Sequence, residues 1–502
     1  MLGLLCVSAM VDTTRAEPAD YFAVKVVDEA TGRGVPLVEL KTVNEICYYT
    51  DSNGVIAFYE PGLMNQDVFF FIRSHGYSFP ADGFGMEGIR LHTKPGTESM
   101  IKMKRINIAE RLYRITGQGI YRDSVLLGIK VPIREPVLNG QVMGQDSTFA
   151  VPYRGKIYWF WGDTSRPSYP LGNFQMSGAI SSLPEKGGLQ PEVGIDLHYF
   201  VNDQGFCKSM CPIRSEGLIW LDGFMTLPDQ PDSERMVAHY SHRKSLEEEI
   251  GHGLVIFNDE KQEFMQFAEF DKNKSWQSPH AHPVNDRRGG SEYIYFPTPF
   301  PNVRVRENLN DIQDQDAYEA FTCLKEGTKF MKNQSLLDSK EGKPVYSWKQ
   351  DTEPIGPQQE KELIEAGLLE KDDAHFLPSD VNSNASPILH SGSVCWNAYR
   401  NKWIMIGVEI GGISFLGEVW YSESDEMTGP WERALKIVTH NQYTFYNPIH
   451  HSFFDQQNGR IIFFEGTYSK MFSGNASATP WYDYNQIMYR LDLNNLNLNS
   501  GE

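Results

Sequence analysis

The chain has 502 residues, 40% of them hydrophobic and 13% aromatic, which is enough to fill more than one core and excludes global disorder. Its formal net charge of −19 sets it against nucleic acid and anionic membranes as partners. No stretch reaches the roughly 18 apolar residues of a membrane span.

Residues 1–18 open Met1-Leu-Gly-Leu-Leu-Cys6, a short apolar run followed by small and polar residues, which reads as the end of a signal for export. The expected location is therefore secreted or periplasmic. Cys6, after Leu4-Leu5, is similar to a lipoprotein site. Cys207 and Cys211 share one polar loop, where a disulfide or two separate thiols fit better than zinc, because no second Cys/His pair follows at finger spacing.

Residues 19–105 read as short strands separated by turns. Tyr21–Val27 alternates, Asp28–Gly34 turns, and Thr50-Asp-Ser-Asn-Gly54 leads tightly into Val55–Tyr59. The run from Val27 through Asp28, Thr31, Gly32 and Gly34 to Val35-Pro-Leu37 resembles the transthyretin-like, carboxypeptidase-regulatory type of β-sandwich. That resemblance implies a spacer or binding module, and no catalytic cluster is visible in it. Residues 106–122 read as a connector.

From residue 123 to 496 the chain is β-rich and weakly repetitive. Ser147–Asp163, Ser393–Glu409 and Ser452–Glu465 each read as strand, hairpin turn, apolar strand and carboxylate. With similar texture near 217–240 and 289–300, this predicts roughly five units of four-stranded sheet, a β-propeller. The expected fold is thus all-β: an N-terminal sandwich followed by a five-bladed propeller, interrupted by a partly helical insertion around 303–380. Within it, Leu363, Ile364, Leu368 and Leu369 stand at helical spacing, which predicts a short surface helix in 355–374.

Asp163 and Glu409 both lie at odd offsets from the turn lysines Lys156 and Lys402, and Glu465 lies at an odd offset from Arg460. With a period of two, the three carboxylates would point to the same side of equivalent strands. Asp146 opens the first repeat and faces Asp163 across neighbouring strands. Two carboxylates held close suit glycoside cleavage, one donating a proton while the other attacks or activates water. The candidate catalytic residues are therefore Asp146, Asp163, Glu409 and Glu465. Histidines gather at His239/His242, His280/His282 and His450/His451, with the last pair expected to open the final repeat. Candidate substrate-binding residues are Arg166, His239, Tyr240, Trp396, His450, His451 and Tyr468, the aromatic ones as stacking surfaces for sugar rings. No metal ligand set with regular spacing emerges, and no cofactor is expected.

Gly144-Gln-Asp-Ser-Thr148, Tyr158-Trp-Phe-Trp-Gly-Asp-Thr164 and Gly172–Ala179 resemble the bacterial five-bladed propeller family that includes endo-D-arabinanases. They are more distantly similar to the furanosidase-type propeller enzymes. The resemblance is sharp over about 40 residues and implies that Asp146 and Asp163 form the catalytic pair. The expected function is hydrolysis of glycosidic bonds in a polysaccharide or oligosaccharide. The alternatives are a polysaccharide lyase working through His450 or His451 with a tyrosine and an arginine, and a non-catalytic carbohydrate-binding or scaffold protein.

Overall fold

In the strand Asp67–Arg73 burial alternates, so that Val68, Phe70 and Ile72 point inward and their neighbours outward. The same alternation builds two four-stranded sheets in the N-terminal region. One runs in the order Val55–Phe58, Phe22–Asp28, Glu98–Arg105, Tyr77–Ser78, and the other Cys47–Tyr49, Glu39–Thr42, Asp67–Arg73, Gly88–His92. Phe22, Val24, Ile56, Phe58, Phe70 and Ile101 from both sheets share one apolar cluster. The computed structural model describes residues 17–498 except 174, 214–215, 231–232, 246, 281, 287, 289, 441 and 482. Nearly all of the signal segment expected in 1–18, with Cys6, lies outside the described residues.

The remainder is mostly strand, and its strands are apolar on both faces. In Lys156–Trp161, Trp159 and Trp161 turn one way and Phe160 the other, all three fully buried. Such a strand needs a sheet packed on each side. Among the described residues, five larger sheets follow one another along the chain. The first begins with Thr148–Tyr153 and Lys156–Trp161, the second with Leu218–Gln230 and Ser233–Arg243, and the third with Val284–Asn285 and Tyr293–Pro297. The fourth takes Ser379–Asp380 at one edge before Leu389–Asn397 and Lys402–Glu409, and the fifth contains Thr444–His450 and Ile461–Ser469.

Apolar clusters join each sheet to the next. Phe160 and Phe224 join the first and second, Val237 and Phe296 the second and third, and Phe321 and Met405 the third and fourth. Ile404 and Phe464 join the fourth and fifth, and Phe463 with Trp159 and Trp161 joins the fifth back to the first. The outer edge of the fifth sheet is completed by Glu110–Arg114, which pairs with Asn485–Asp492. A strand from the segment read as a connector thus ends the last sheet and ties the start of this region to its finish.

Several sequence expectations change register here. Ser452–Phe454 is a 3₁₀ turn, not a strand; the first strand of the fifth sheet is Thr444–His450. His450 therefore ends that strand instead of opening it. A register shift between Tyr446 and Ile449, around Pro448, blurs the period-two pattern that would have marked it. Pro301–Arg306, Glu319–Thr322 and Ser347–Lys349 are strands of the third sheet, within the stretch read as an insertion. The predicted helix is Pro357–Glu365, and Leu363 and Leu369 are buried in the cluster between the third and fourth sheets. Cys207 and Cys211 face two different cores, one between the fifth and first sheets and one between the first and second.

The N-terminal region is clasped to the rest by exchanged carboxylates. Asp51 accepts from the Ser124 backbone at 2.7 Å, and Asp123 accepts from the Ala57 backbone at 2.9 Å.

Candidate active site

Two pieces of ladder meet at the head of the first sheet. Gln145 pairs with Thr164, and Thr148 pairs with Trp161. Between them the strands part around Asp146-Ser147 on one side and Gly162-Asp163 on the other. Ser147 adopts a positive φ of 51°, which breaks the strand and turns its neighbours out of the pleat. The two aspartates face each other across this break: Asp146 N donates to Asp163 O at 3.1 Å, and Gly162 N donates to Asp146 O at 2.8 Å.

Side chains from other sheets reach the same point. The Ser147 hydroxyl donates to the Asp146 carboxylate. Asn447 Nδ2 donates to Ser147 Oγ at 2.7 Å, and Ser391 Oγ donates to Asn447 Oδ1 at 3.3 Å. The Tyr446 hydroxyl is hydrogen-bonded to Asp146. First strands of the first, fourth and fifth sheets therefore converge on Asp146. Beneath it lies a buried polar network. Gln145 Nε2 donates to Ser177 Oγ at 2.6 Å, Tyr199 OH donates to Gln145 Oε1 at 2.7 Å, and Gln486 Nε2 donates to the Gln145 carbonyl at 2.8 Å. Apart from Gln486 Oε1, which is buried without a hydrogen-bond partner, these bonds fix the backbone that carries Asp146.

The electrostatics follow from burial. The Asp146 carboxyl is pushed up to about 6, first by burial and then by the charge of Asp163, against hydrogen bonds from Ser147 and Tyr446 that pull it down. Burial also raises Asp163, and its Oδ1 is buried with no hydrogen-bond partner in the protein. A buried, unpartnered carboxylate oxygen beside a second carboxyl is a costly arrangement for stability. It leaves the pair able to hold and release a proton close to neutral pH.

The other candidate residues divide among different surroundings. Glu409 ends its strand beside Glu418 and accepts from Trp420 Nε1 at 2.9 Å. Glu465 is fully buried between the fifth and first sheets, 2.6 Å from His451 Nε2, and accepts from Thr148 Oγ1 at 3.2 Å. The shared parity of the acids thus did not give them a shared environment, because one face of each strand is a sheet-to-sheet contact. His451 belongs to this buried pair. His450 points to Cys395 and Asp455.

His239, Tyr240 and Tyr468 were expected to bind substrate, and burial corrects that reading. His239 lies among Phe270, Phe296 and Tyr318 with its ring pushed down to about 3 by burial. Tyr240 packs between the first and second sheets, and Tyr468 lies under the rings of His75 and His440. Large rings fill the wedge that widens between sheets, so aromatic content near strand ends marks packing before it marks a sugar surface. Trp396 is half-buried, with the Arg288 guanidinium 3.3 Å from its ring centre. Arg166 follows the aspartate turn and lies 5.4 Å over the Phe206 ring.

Ser147, Tyr446, Asn447 and Ser391 were missed as site residues. Of the expected histidines, His280 lies 3.4 Å from Asp222, in the bulge of the long strand Leu218–Gln230. The available signal was positional: Ser147 adjoins Asp146, and Tyr446-Asn447 precedes a proline that forces a strand irregularity. A groove of about 1020 Å³ lies between the second and third sheets beside the Arg154 hairpin, lined by Arg154, Glu234, Arg306 and Glu307, and neither aspartate lines it. Among the described residues, no three His, Cys, Asp or Glu side chains stand together as a metal site, and no helix is long and apolar enough to cross a membrane.

No family model matches the chain, and no curated protein does. Among solved structures, an exo-β-1,3-galactanase from Phanerochaete chrysosporium is similar over 78% of this chain and 69% of its own, at 9% identity and a TM-score of 0.37. An arabinanase from Bacillus subtilis is similar over 69% of this chain and 94% of its own, at 10% identity and a TM-score of 0.31. An exo-1,5-α-L-arabinanase from a bovine ruminal metagenomic library is similar over 70% and 94%, at 8% identity and 0.33. Likeness at this level assigns neither a substrate nor a residue role to this chain.

Proposed function

We propose that this chain is an exported glycoside hydrolase, a five-bladed β-propeller behind an N-terminal β-sandwich, with Asp146 and Asp163 as its catalytic carboxylates. The observation that carries the reading is the pair itself: two aspartates opposed across a broken ladder, one raised to about 6 and the other bearing a buried oxygen without a partner. Glycosidic cleavage needs one carboxyl that gives a proton to the leaving oxygen and one that attacks the sugar or activates water. A pair that shares a proton near pH 6 supplies both forms at once. The fixed backbone beneath Asp146 holds the geometry, so little reorganisation is needed when substrate arrives. Nothing in the surroundings of His450 or His451 favours the lyase, since each imidazole is already held by a carboxylate.

The test is a screen of the full chain on plant, algal and microbial glycans, with D146N and D163N measured beside it. New reducing ends that disappear in both variants, while glycan binding persists, support hydrolysis. Products absorbing in the ultraviolet would establish a lyase instead. Binding without turnover in the unsubstituted chain would establish the non-catalytic reading.

A further inference from the structure

Cys395 lies on the first strand of the fourth sheet, beyond Ser391 and away from the aspartates. It is partly exposed. Its Sγ is 3.0 Å from His450 Nδ1, and His450 Nε2 is 2.7 Å from Asp455 Oδ1. The His450 side chain is 2% exposed and that of Asp455 14%, so the imidazole is locked while its two partners stay nearer solvent. Ser393 Oγ also accepts from the His450 backbone at 2.7 Å, which ties the two strands together just before the thiol. A thiol within hydrogen-bond reach of a base, with that base oriented by a third group, is the signature of an activated nucleophile.

We propose that Cys395 is a modification site, a thiol held 3.0 Å from the His450 ring that reacts with hydroperoxides and soft alkylating electrophiles. In the oxidative step the thiolate sulfur attacks one peroxide oxygen and the O–O bond breaks. Sulfur becomes a sulfenic acid, and the leaving hydroxide takes the imidazolium proton to form water. The thiol is oxidised by two electrons and the hydroperoxide reduced by two.

The surroundings favour a charged His450 beside the thiol. Burial works against a charged His450, but Asp455 and Cys395 together hold it well above the usual histidine range. Behind them, the Tyr421 hydroxyl donates to Glu423 at 2.6 Å, and Glu423 is held by Arg400. The other thiols differ. Cys211 and Cys323 are buried, with thiols pushed up to about 12 and about 11 by burial. Cys47 is exposed, yet its thiol is raised by burial and by the charge of Glu39. Exposure alone would make Cys47 the reactive one, whereas activation makes it Cys395.

The experiment treats the native full chain with iodoacetamide, or with hydrogen peroxide followed by dimedone, between pH 5.5 and 9, and reads each cysteine peptide by mass spectrometry. Cys395 is expected to alkylate at least about tenfold faster than Cys47 at pH 6, and to take the dimedone adduct. D455N is expected to slow Cys395 about tenfold at pH 6 with an unchanged melting curve. H450Q alters a buried ring and is read only if it folds; the pH profile of the unsubstituted chain stands without it. A Cys395 rate at pH 6 no faster than that of Cys47 overturns the proposal. So does a D455N profile that matches the parent, or peroxide labelling that misses Cys395.

Discussion

The Asp146–Asp163 pair and the Glu465–His451 pair both lie at the head of the strand Thr148–Tyr153, and they are built to opposite ends. Glu465 is fully buried, and its two oxygens are taken by His451 and Thr148. Asp146 is only partly buried, and Asp163 keeps one oxygen without a partner. A carboxylate whose acceptor positions are filled is spent on holding two sheets together. One left wanting is poised for chemistry, and the fold bears its cost. The contrast teaches that an acid on such a strand is assigned by its partners, not by its side of the strand.

The largest effect expected from breaking this contrast is on turnover. Asp146→Asn or Asp163→Asn removes a proton-transfer group and should lower kcat on the identified glycan by about 10²–10⁴-fold, with the melting temperature unchanged or raised, because each substitution removes a carboxyl that burial disfavours in its charged form. Initial rates and melting curves on the same samples check both halves; turnover kept in D163N would end the pairing. Glu465→Ala should do the reverse. It strands His451 and Thr148 and opens a gap between the fifth and first sheets, at a cost of about 3–5 kcal/mol in denaturant unfolding. Whatever Glu465→Ala retains folded should keep near-parent turnover.

How far the sequence reached depends on which physical signal was strong. The hairpin at Arg154-Gly155 was legible because both residues take positive φ, 47° and 75°, which glycine permits cheaply. The opposition of Asp146 and Asp163 was legible for the same reason: a short hairpin fixes what faces what. The start of the fifth sheet was not, because Pro448 and a register shift break the alternation there. The pairing of Glu110–Arg114 with Asn485–Asp492 joins distant parts of the chain and leaves no local mark. Burial was the least legible quantity. Tyr240 and Tyr468 read the same as surface aromatics until neighbouring sheets close over them.

Glu360, in the helix Pro357–Glu365, accepts from Tyr346 OH and from the His375 and Phe376 backbones, yet burial holds its carboxyl up at about 7 against an ordinary value of 4.5. Because the folded value is the raised one, the folded chain binds the proton more tightly than the unfolded chain does. Its contribution is complete below pH 4.5 and is lost as pH rises through about 7. Asp51, up at about 6, adds to the same slope. Glu360 and Asp51 thus put a downward slope into melting temperature between pH 5 and 8, opposed by histidines buried neutral such as His239 and His440, and E360Q should tilt the net slope upward. An identical slope in E360Q would remove Glu360 as its source.

The smallest expected effect is also the one that separates the aspartates most finely. The Tyr446 hydroxyl lies against Asp146 and stabilises its ionised form, so it pulls the carboxyl down while burial and Asp163 push it up. Tyr446→Phe removes that hydrogen bond and almost nothing else, since the ring stays packed against Phe472. The limb of the pH–rate profile set by Asp146 should then move upward by about one pH unit, worth about 1.4 kcal/mol, with only a few-fold change at the optimum. The stability of the Glu465–His451 pair should not respond, because Tyr446 does not touch it. A limb that stays in place would mean that another group titrates there, and that Asp146 does not govern the proton on which the paired-carboxylate mechanism depends.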